Sequence, residues 1–466
     1  MTVSLNKYIG DRKFYRMVLG VAVPVMIQNG ITNFVGLLDN IMVGALGTEQ
    51  MSGVSIVNQF IFIFNILVFG AVSAAGIFTA QYFGSKDNNG IRYTFRFKIL
   101  ICTFATLIGA ALFYFLDDFF IGLFLNDASQ TGNVAKTLGF GKEYLIIMLV
   151  GLLPYSISQV YASTMRETGD TFTPMIVSVS AVLTNFILNG VLIFGLLFFP
   201  AMGVKGAAIA TVVSRFVELI ILVWYSHRNT VKFPYLKGAY RSMYIPAVLT
   251  RRIAFKGLPL MLNELLWAIA IMLRNQCYST RGLEVVAAQN IQSTLINVFN
   301  VVYLSLGSSI AIVVGRHLGA DEPEKARDTA RKMITFSVMC AIGMAALFSI
   351  SSFVFPLAYN TEPSIRSLAT FLMLISSLNM PFNAYANAAY FTMRSGGRVG
   401  VTFIFDCVYM WAIIIPVSAA VAYLTPVSIY ILYPICQSVE TLKAFFGAFL
   451  LRKFNWVKRL VSDPEE

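Results

Sequence analysis

Residues 24–49 read PVMIQNGITNFVGLLDNIMVGALGTE, and residues 259–284 read PLMLNELLWAIAIMLRNQCYSTRGLE. Set at an offset of 235, the two stretches match Pro24 with Pro259, Met26 with Met261, Asn40 with Asn275, Gly47 with Gly282 and Glu49 with Glu284. The register runs without a gap to residues 92 and 327, giving fourteen identities in 69 positions. They include Phe64-Asn65 with Phe299-Asn300, Gly84 with Gly319 and Arg92 with Arg327. Apolar bias alone pairs Leu with Leu. It does not bring Pro, Gly, Asn, Glu and Arg into one register. The chain is a duplication, and each copy opens on an apolar helix that carries a proline.

What surrounds these stretches fixes their solvent. Of 466 residues, 57% are hydrophobic and 12% charged, and the mean hydropathy is +0.71. Soluble domains carry about 25% charged residues, so a soluble enzyme is excluded. A helix that crosses the hydrocarbon needs about 20 mostly apolar residues. Twelve segments qualify: 17–46, 54–83, 97–116, 139–163, 172–198, 204–225, 257–280, 286–315, 334–357, 366–392, 400–423 and 427–450. The expected fold is an all-α integral membrane protein, with twelve transmembrane helices in two pseudo-symmetric six-helix bundles.

The distribution of positive charge supports the count. Cytoplasmic flanks collect Lys and Arg. Numbering the polar stretches alternately places twenty-seven of the 35 on one side and five on the other, with Arg215, Arg274 and Lys443 inside spans. A missed helix would scramble that separation. Both termini are expected in the cytoplasm of a multi-pass protein of the cytoplasmic membrane. The net charge of +12 thus reads as orientation, with the bilayer rather than nucleic acid as partner. The stretch from Tyr8 to Arg16 is expected to lie on the inner leaflet, and no cleavable leader is read.

An even number of helices per copy makes the repeats parallel, the plan of secondary transporters whose two bundles rock about a central site. The expected units are an N-terminal lobe, 1–225, a basic linker, 226–256, with a short interfacial helix, and a C-terminal lobe, 257–466. A channel or a membrane enzyme could carry the same duplication. A channel has no need of an acid stranded in the first span, however, and an enzyme needs an acid or His constellation outside the membrane. The linker holds seven Lys/Arg, one His and no acid. His227 and His317 lie in basic stretches, and the five cysteines lack C-x-x-C spacing. They read as free, small core residues. No metal and no cofactor are expected.

Ionisable residues inside spans are costly and usually have a partner or a task. Asp39 lies in the first span, where a carboxyl can exchange a proton near neutral pH or ligate Na⁺. Asn185 and Asn189 are four apart on the fifth span and share a face, and Thr211 in the sixth adds a hydroxyl. Together they offer one carboxylate and three neutral oxygens to H⁺ or Na⁺, although polar residues also serve as helix-packing contacts. The second copy supplies an alternative: Glu264, Asp406 and Arg274, with Arg274 expected to pair with Asp406 or Glu264. Arg215/Glu218 and Glu440/Lys443 are opposite charges three apart and are expected to neutralise each other or to snorkel near the inner face.

The order Pro24…Asp39-Asn40…Gly44-x-Leu46-Gly47 resembles the MATE family, the multidrug and toxic compound extrusion transporters. So do Leu258-Pro259…Asn263-Glu264-x-x-Trp267, the Met165-Arg166 pair with Gly169, and Met393-Arg394-Ser-Gly-Gly. The resemblance covers essentially the whole chain. It implies an antiporter, not an enzyme, that exports cationic or amphipathic organic compounds in exchange for H⁺ or Na⁺. A monomer is expected. The resemblance also implies that Asp39 couples the ion, as in the DNA-damage-inducible type of member, with Asn185 and Thr211 beside it and Pro24 as the hinge of helix one. Asn189 departs from that pattern, which has an acid there. Glu264 matches the helix-seven acid of other branches, whose helix-ten acid is here replaced by Asn383 and Asn387. A flippase or exporter of a lipid-linked or amphiphilic metabolite is the alternative reading. It predicts several cavity-facing cations.

Overall fold

A computed structural model of the chain describes residues 7–117, 134–196, 199–359 and 361–461. Among them every regular element is helical. Twelve long helices follow in order: α1 (Arg12–Gly44), α2 (Thr48–Gly84), α3 (Asn88–Phe115), α4 (Val134–Glu167), α5 (Phe172–Phe194), α6 (Gly203–Arg228), α7 (Ala247–Ser279), α8 (Leu283–Gly319), α9 (Pro323–Val354), α10 (Pro363–Ser395), α11 (Val399–Leu424) and α12 (Ile429–Lys453). Each corresponds to one expected span. The expected end of the fifth, 197–198, lies outside the described residues.

Eleven of these helices are long and apolar enough to cross a membrane. The twelfth, α12, has 25 residues, about 37 Å at 1.5 Å per residue. Its mean hydropathy is pulled down by Glu440 and Lys443, both of which find partners inside the fold. On α3 the outward face is a lipid-like stripe: Leu100, Phe104, Leu107 and Phe115 are all exposed, spaced four, three and eight residues apart. Water would penalise that face, whereas hydrocarbon does not.

The helices overrun the apolar segments. α3, α7 and α9 begin nine to eleven residues before the expected spans, at Asn88, Ala247 and Pro323, because hydropathy marks where the bilayer starts and not where the backbone begins to coil. The linker is correspondingly shorter than expected, and its expected interfacial helix is a single three-residue 3-10 turn, Pro234–Leu236. Arg96 ties this segment down by donating to the carbonyls of Ala239 (2.7 Å), Tyr244 (3.0 Å) and Gly238 (3.2 Å). All five cysteines are free, four of them buried.

The chain forms two compact units. Among the described residues, one lies within 27–79 and 87–257 and the other within 7–26, 80–86 and 258–461. In the first, Val43, Val57, Leu145, Met148, Ala208 and Val212 form the core. In the second, Val18 and Ala22 from the start of α1 pack with Ile310, Val314, Met333 and Met393. The end of α2 belongs to that same unit. There Gly84 and Gly319, the repeat-related pair, face each other's helix: a Cβ on Gly84 would overlap the Arg316 carbonyl, and one on Gly319 the Gln81 carbonyl. Beside them Gln81 is fully buried. It donates to the Ser395 carbonyl (3.1 Å) and accepts from the Leu460 amide (2.6 Å), which fastens the C-terminal segment.

Candidate functional site

α5 and α6 set the geometry of the first polar cluster. Asp170 starts α5, accepting from Thr173 N (3.1 Å) and Oγ1 (2.6 Å), and is paired with Lys232 at 2.6 Å. Burial works against the Lys232 charge, but the Asp170 carboxylate outweighs it and holds the ammonium above its ordinary range. α5 ends at Gly195, whose φ of 71° suits a residue without a Cβ. The chain returns closely: Met202 N donates to Leu192 O at 2.9 Å, and a Cβ on Gly206 would stand 2.5 Å from the same carbonyl. That approach brings α6 against α5 and seats Thr211 opposite Asn185.

The four residues expected to form the first-half site come together. Asn189 Nδ2 donates to Asp39 Oδ1 at 2.5 Å and to Asn185 Oδ1 at 3.2 Å. Asn185 Nδ2 donates to Thr211 Oγ1 at 3.1 Å, and the Thr211 hydroxyl donates to Ala207 O at 3.0 Å. Turned by half a revolution, the Asn185 amide instead reaches Asp39 Oδ1 (3.0 Å) and Oδ2 (3.3 Å), and its oxygen accepts from Thr211. Oxygen and nitrogen exchange places easily in such an amide. Asn185 and Asn189 are buried, 5% and 1% exposed, and Asn189 Oδ1 has no hydrogen-bond partner among the described residues. No ion pair involves Asp39 among those residues either.

Tyr144 extends this cluster. It is buried, donates to Asn58 Oδ1 at 3.3 Å and reaches Thr211. A lone tyrosine in an apolar span gives no signal in a sequence, so reasoning from spacing misses Tyr144 and Asn58. Arg215 and Glu218 form no direct ion pair among the described residues, although the Arg215 charge acts on Glu218. The Arg215 guanidinium lies over the Tyr155 ring, 4.4 Å from its centroid, and Glu218 accepts from Ser178 Oγ at 3.2 Å.

The second half departs further from expectation. Arg274 does not pair with Asp406 or Glu264; it pairs with Glu440 at 2.5 Å. Glu264 instead takes Arg394 (3.1 Å) and the Tyr390 hydroxyl (3.2 Å). Asp406 takes Lys443 on one oxygen and Asn263 Nδ2 on the other, the latter at 2.8 Å. Of the three expected residues, Glu264 and Asp406 share one network through Asn263 and Tyr390, 3.3 Å apart, and Arg274 belongs to a separate pair. Spacing along one helix suggested Glu440 with Lys443, but each side chain points to a different neighbouring helix. Three residues counted as cytoplasmic flank charges are in fact buried: Arg96, Arg394, and Lys98, which donates to Glu167 at 2.5 Å.

Comparison with known proteins assigns the class. The MatE family profile matches residues 24–191 and 259–423, one match in each copy of the repeat. The probable multidrug resistance protein NorM of Thermotoga maritima is 26% identical over 405 residues, which cover 85% of this chain and 83% of that one. The probable multidrug resistance protein YoeA of Bacillus subtilis is 22% identical over 449 residues, 94% of each chain. Among solved structures, a MATE in the straight conformation superposes with a TM-score of 0.83 at 18% identity, covering 97% of this chain and 98% of that one. A mutant of the Vibrio cholerae MATE transporter VcmN superposes with a TM-score of 0.82 at 17% identity, covering 96% and 98%. The fold is therefore that of an all-α, multi-pass membrane transporter with twelve helices in two bundles. The chain belongs to the MatE family, and it is a transporter, not an enzyme.

Proposed function

We propose that this protein is a secondary active antiporter of the cytoplasmic membrane, with both termini in the cytoplasm. On this reading it acts as a monomer and exports cationic or amphipathic organic compounds in exchange for H⁺ or Na⁺, coupled at Asp39. The observation that carries the reading is that Asp39 is held by amide donors and has no ion pair among the described residues, the Arg215 charge acting on it only from a distance. A hydrogen bond to a charged group contributes about 1.5–3 kcal/mol. That is enough to orient the carboxylate, and it leaves the negative charge for a cation to meet. The names of the relatives, probable multidrug resistance proteins NorM and YoeA, support export of drug-like compounds.

The mechanism is competition. The deprotonated carboxylate accepts from Asn189 and attracts a cationic substrate. When Asp39 takes up a proton, its hydroxyl needs an acceptor, and the buried Asn189 Oδ1 becomes one once that amide turns. Sodium would use the same carbonyl oxygens. Either ion cancels the charge that held the substrate, and its downhill entry biases the two lobes between outward- and inward-open states through differential affinity. Pro24 lies inside α1, fifteen residues before Asp39. It has no N–H to donate, so the helix is weakened there, and a change at Asp39 bends α1 at that point.

The test is movement of a fluorescent organic cation into inverted vesicles under a pH gradient, followed by pulses of NaCl or KCl. Uptake that collapses with the proton gradient, or that responds to Na⁺ and not K⁺, supports antiport and identifies the ion. No movement under any gradient contradicts it and favours the lipid-linked or amphiphilic cargo.

A further inference from the structure

We infer that Lys443 is a resident counter-cation: its ammonium holds on Asp406 the place that a mobile cation would otherwise take, and it closes the second half of the chain to coupling ions. The inference deepens the reading that coupling runs through Asp39 and rests on it for its role in transport. The geometry itself stands independently.

The first half also pairs a buried carboxylate, Glu167 with Lys98, but its Asp39 and the second half's Asp406 and Glu264 are held differently. Asp39 is met by amides. Asp406 is met by Lys443, and Glu264 by Arg394 at 3.1 Å. The Lys443 and Arg394 side chains are 11% and 2% exposed, and those of Asp406 and Glu264 are 15% and 18% exposed. Asn263 and the Tyr390 hydroxyl join the two pairs into one network whose four charges cancel. The Lys443 ammonium also stands 5.3 Å from the centroid of the Phe405 ring, a second favourable contact for a cation.

The backbone is shaped for this arrangement. α11 leaves α-helical geometry for π-helix over Ile404–Val408, the turn that carries Asp406, and again over Met410–Ile414. Such insertions are rare and collect at functional positions. Beside Asp406, Asn263 Oδ1 is buried and has no hydrogen-bond partner among the described residues. Without the Lys443 charge, Asp406 on this turn and Asn263 on α7, once its amide turns, would present a carboxylate oxygen and an amide oxygen together. A hard cation takes oxygen ligands of that kind.

The experiment uses the full-length protein in an Asp39→Asn background, so that the first-half carboxylate contributes nothing and the outcome does not depend on where transport is coupled. Equilibrium binding of radiolabelled Na⁺ is measured for that parent, for Lys443→Met, and for Lys443→Met combined with Asp406→Asn. Thermal melting is followed in Na⁺ and in choline. Lys443→Met should bind Na⁺ at least about tenfold more tightly than its parent and melt higher in Na⁺ than in choline; Asp406→Asn should abolish both effects. Lys443→Gln, which keeps one donor on Asp406, should show the same gain with smaller amplitude and covers the case in which Lys443→Met does not fold. A folded Lys443→Met or Lys443→Gln that binds no more Na⁺ than its parent would overturn the inference. So would a parent that already binds Na⁺ in a manner lost with Asp406→Asn.

Discussion

At the scale of single residues, the buried charges divide into those held by neutral donors and those held by opposite charge. Glu264 is of the second kind, and losing its charge leaves the buried Arg394 guanidinium with the Tyr390 hydroxyl in place of a carboxylate. Breaking one partner of a buried pair costs about 3–5 kcal/mol. Glu264→Gln should therefore lower the melting temperature markedly, and Glu264→Gln with Arg394→Gln should recover most of it, while the folded fraction of either still exports. A single variant as stable as its parent would contradict the pairing. Asp39, Asn185, Asn189 and Thr211 are legible in the sequence because a lone acid in an apolar span stands out and helical spacing places two asparagines on one face. The partners of Arg274, Glu264 and Asp406 are not legible. Each pairing joins residues on different helices, Arg274 to Glu440 across 166 positions, and no local spacing encodes it.

At the scale of elements, the duplication has a physical counterpart in Gly84 and Gly319. Each removes the Cβ that would strike the backbone of the other's helix, so the two repeat-related glycines permit one close crossing. The repeat alone marks both positions, because only a residue without a side chain fits that crossing from either copy. Gly84→Ala or Gly319→Ala would force backbone against side chain, and overpacking of this kind costs about 1–3 kcal/mol. Each variant should melt lower than the parent, and together they should lose less than the sum, since the first already opens the crossing. Strict additivity would mean that the two glycines act at separate contacts. Helix ends are less legible than helix centres. Residues 323–333 are charged yet helical, because side chains in water do not oppose coiling; they only fall outside the apolar window.

At the scale of the whole molecule, twelve helices, a six-plus-six repeat and the MatE family agree. Within that symmetry the two halves are asymmetric. The first half keeps a carboxylate free of any ion pair among the described residues, and the second fills its acids with Lys443 and Arg394. In the proposed mechanism, ion and substrate compete for Asp39. The most direct test adds an organic cation to the purified transporter in weak buffer and records the protons, or the radiolabelled Na⁺, set free. Competition predicts that substrate releases about one ion per transporter and that Asp39→Asn releases none. Substrate binding without ion release, or equal release from Asp39→Asn, would contradict it.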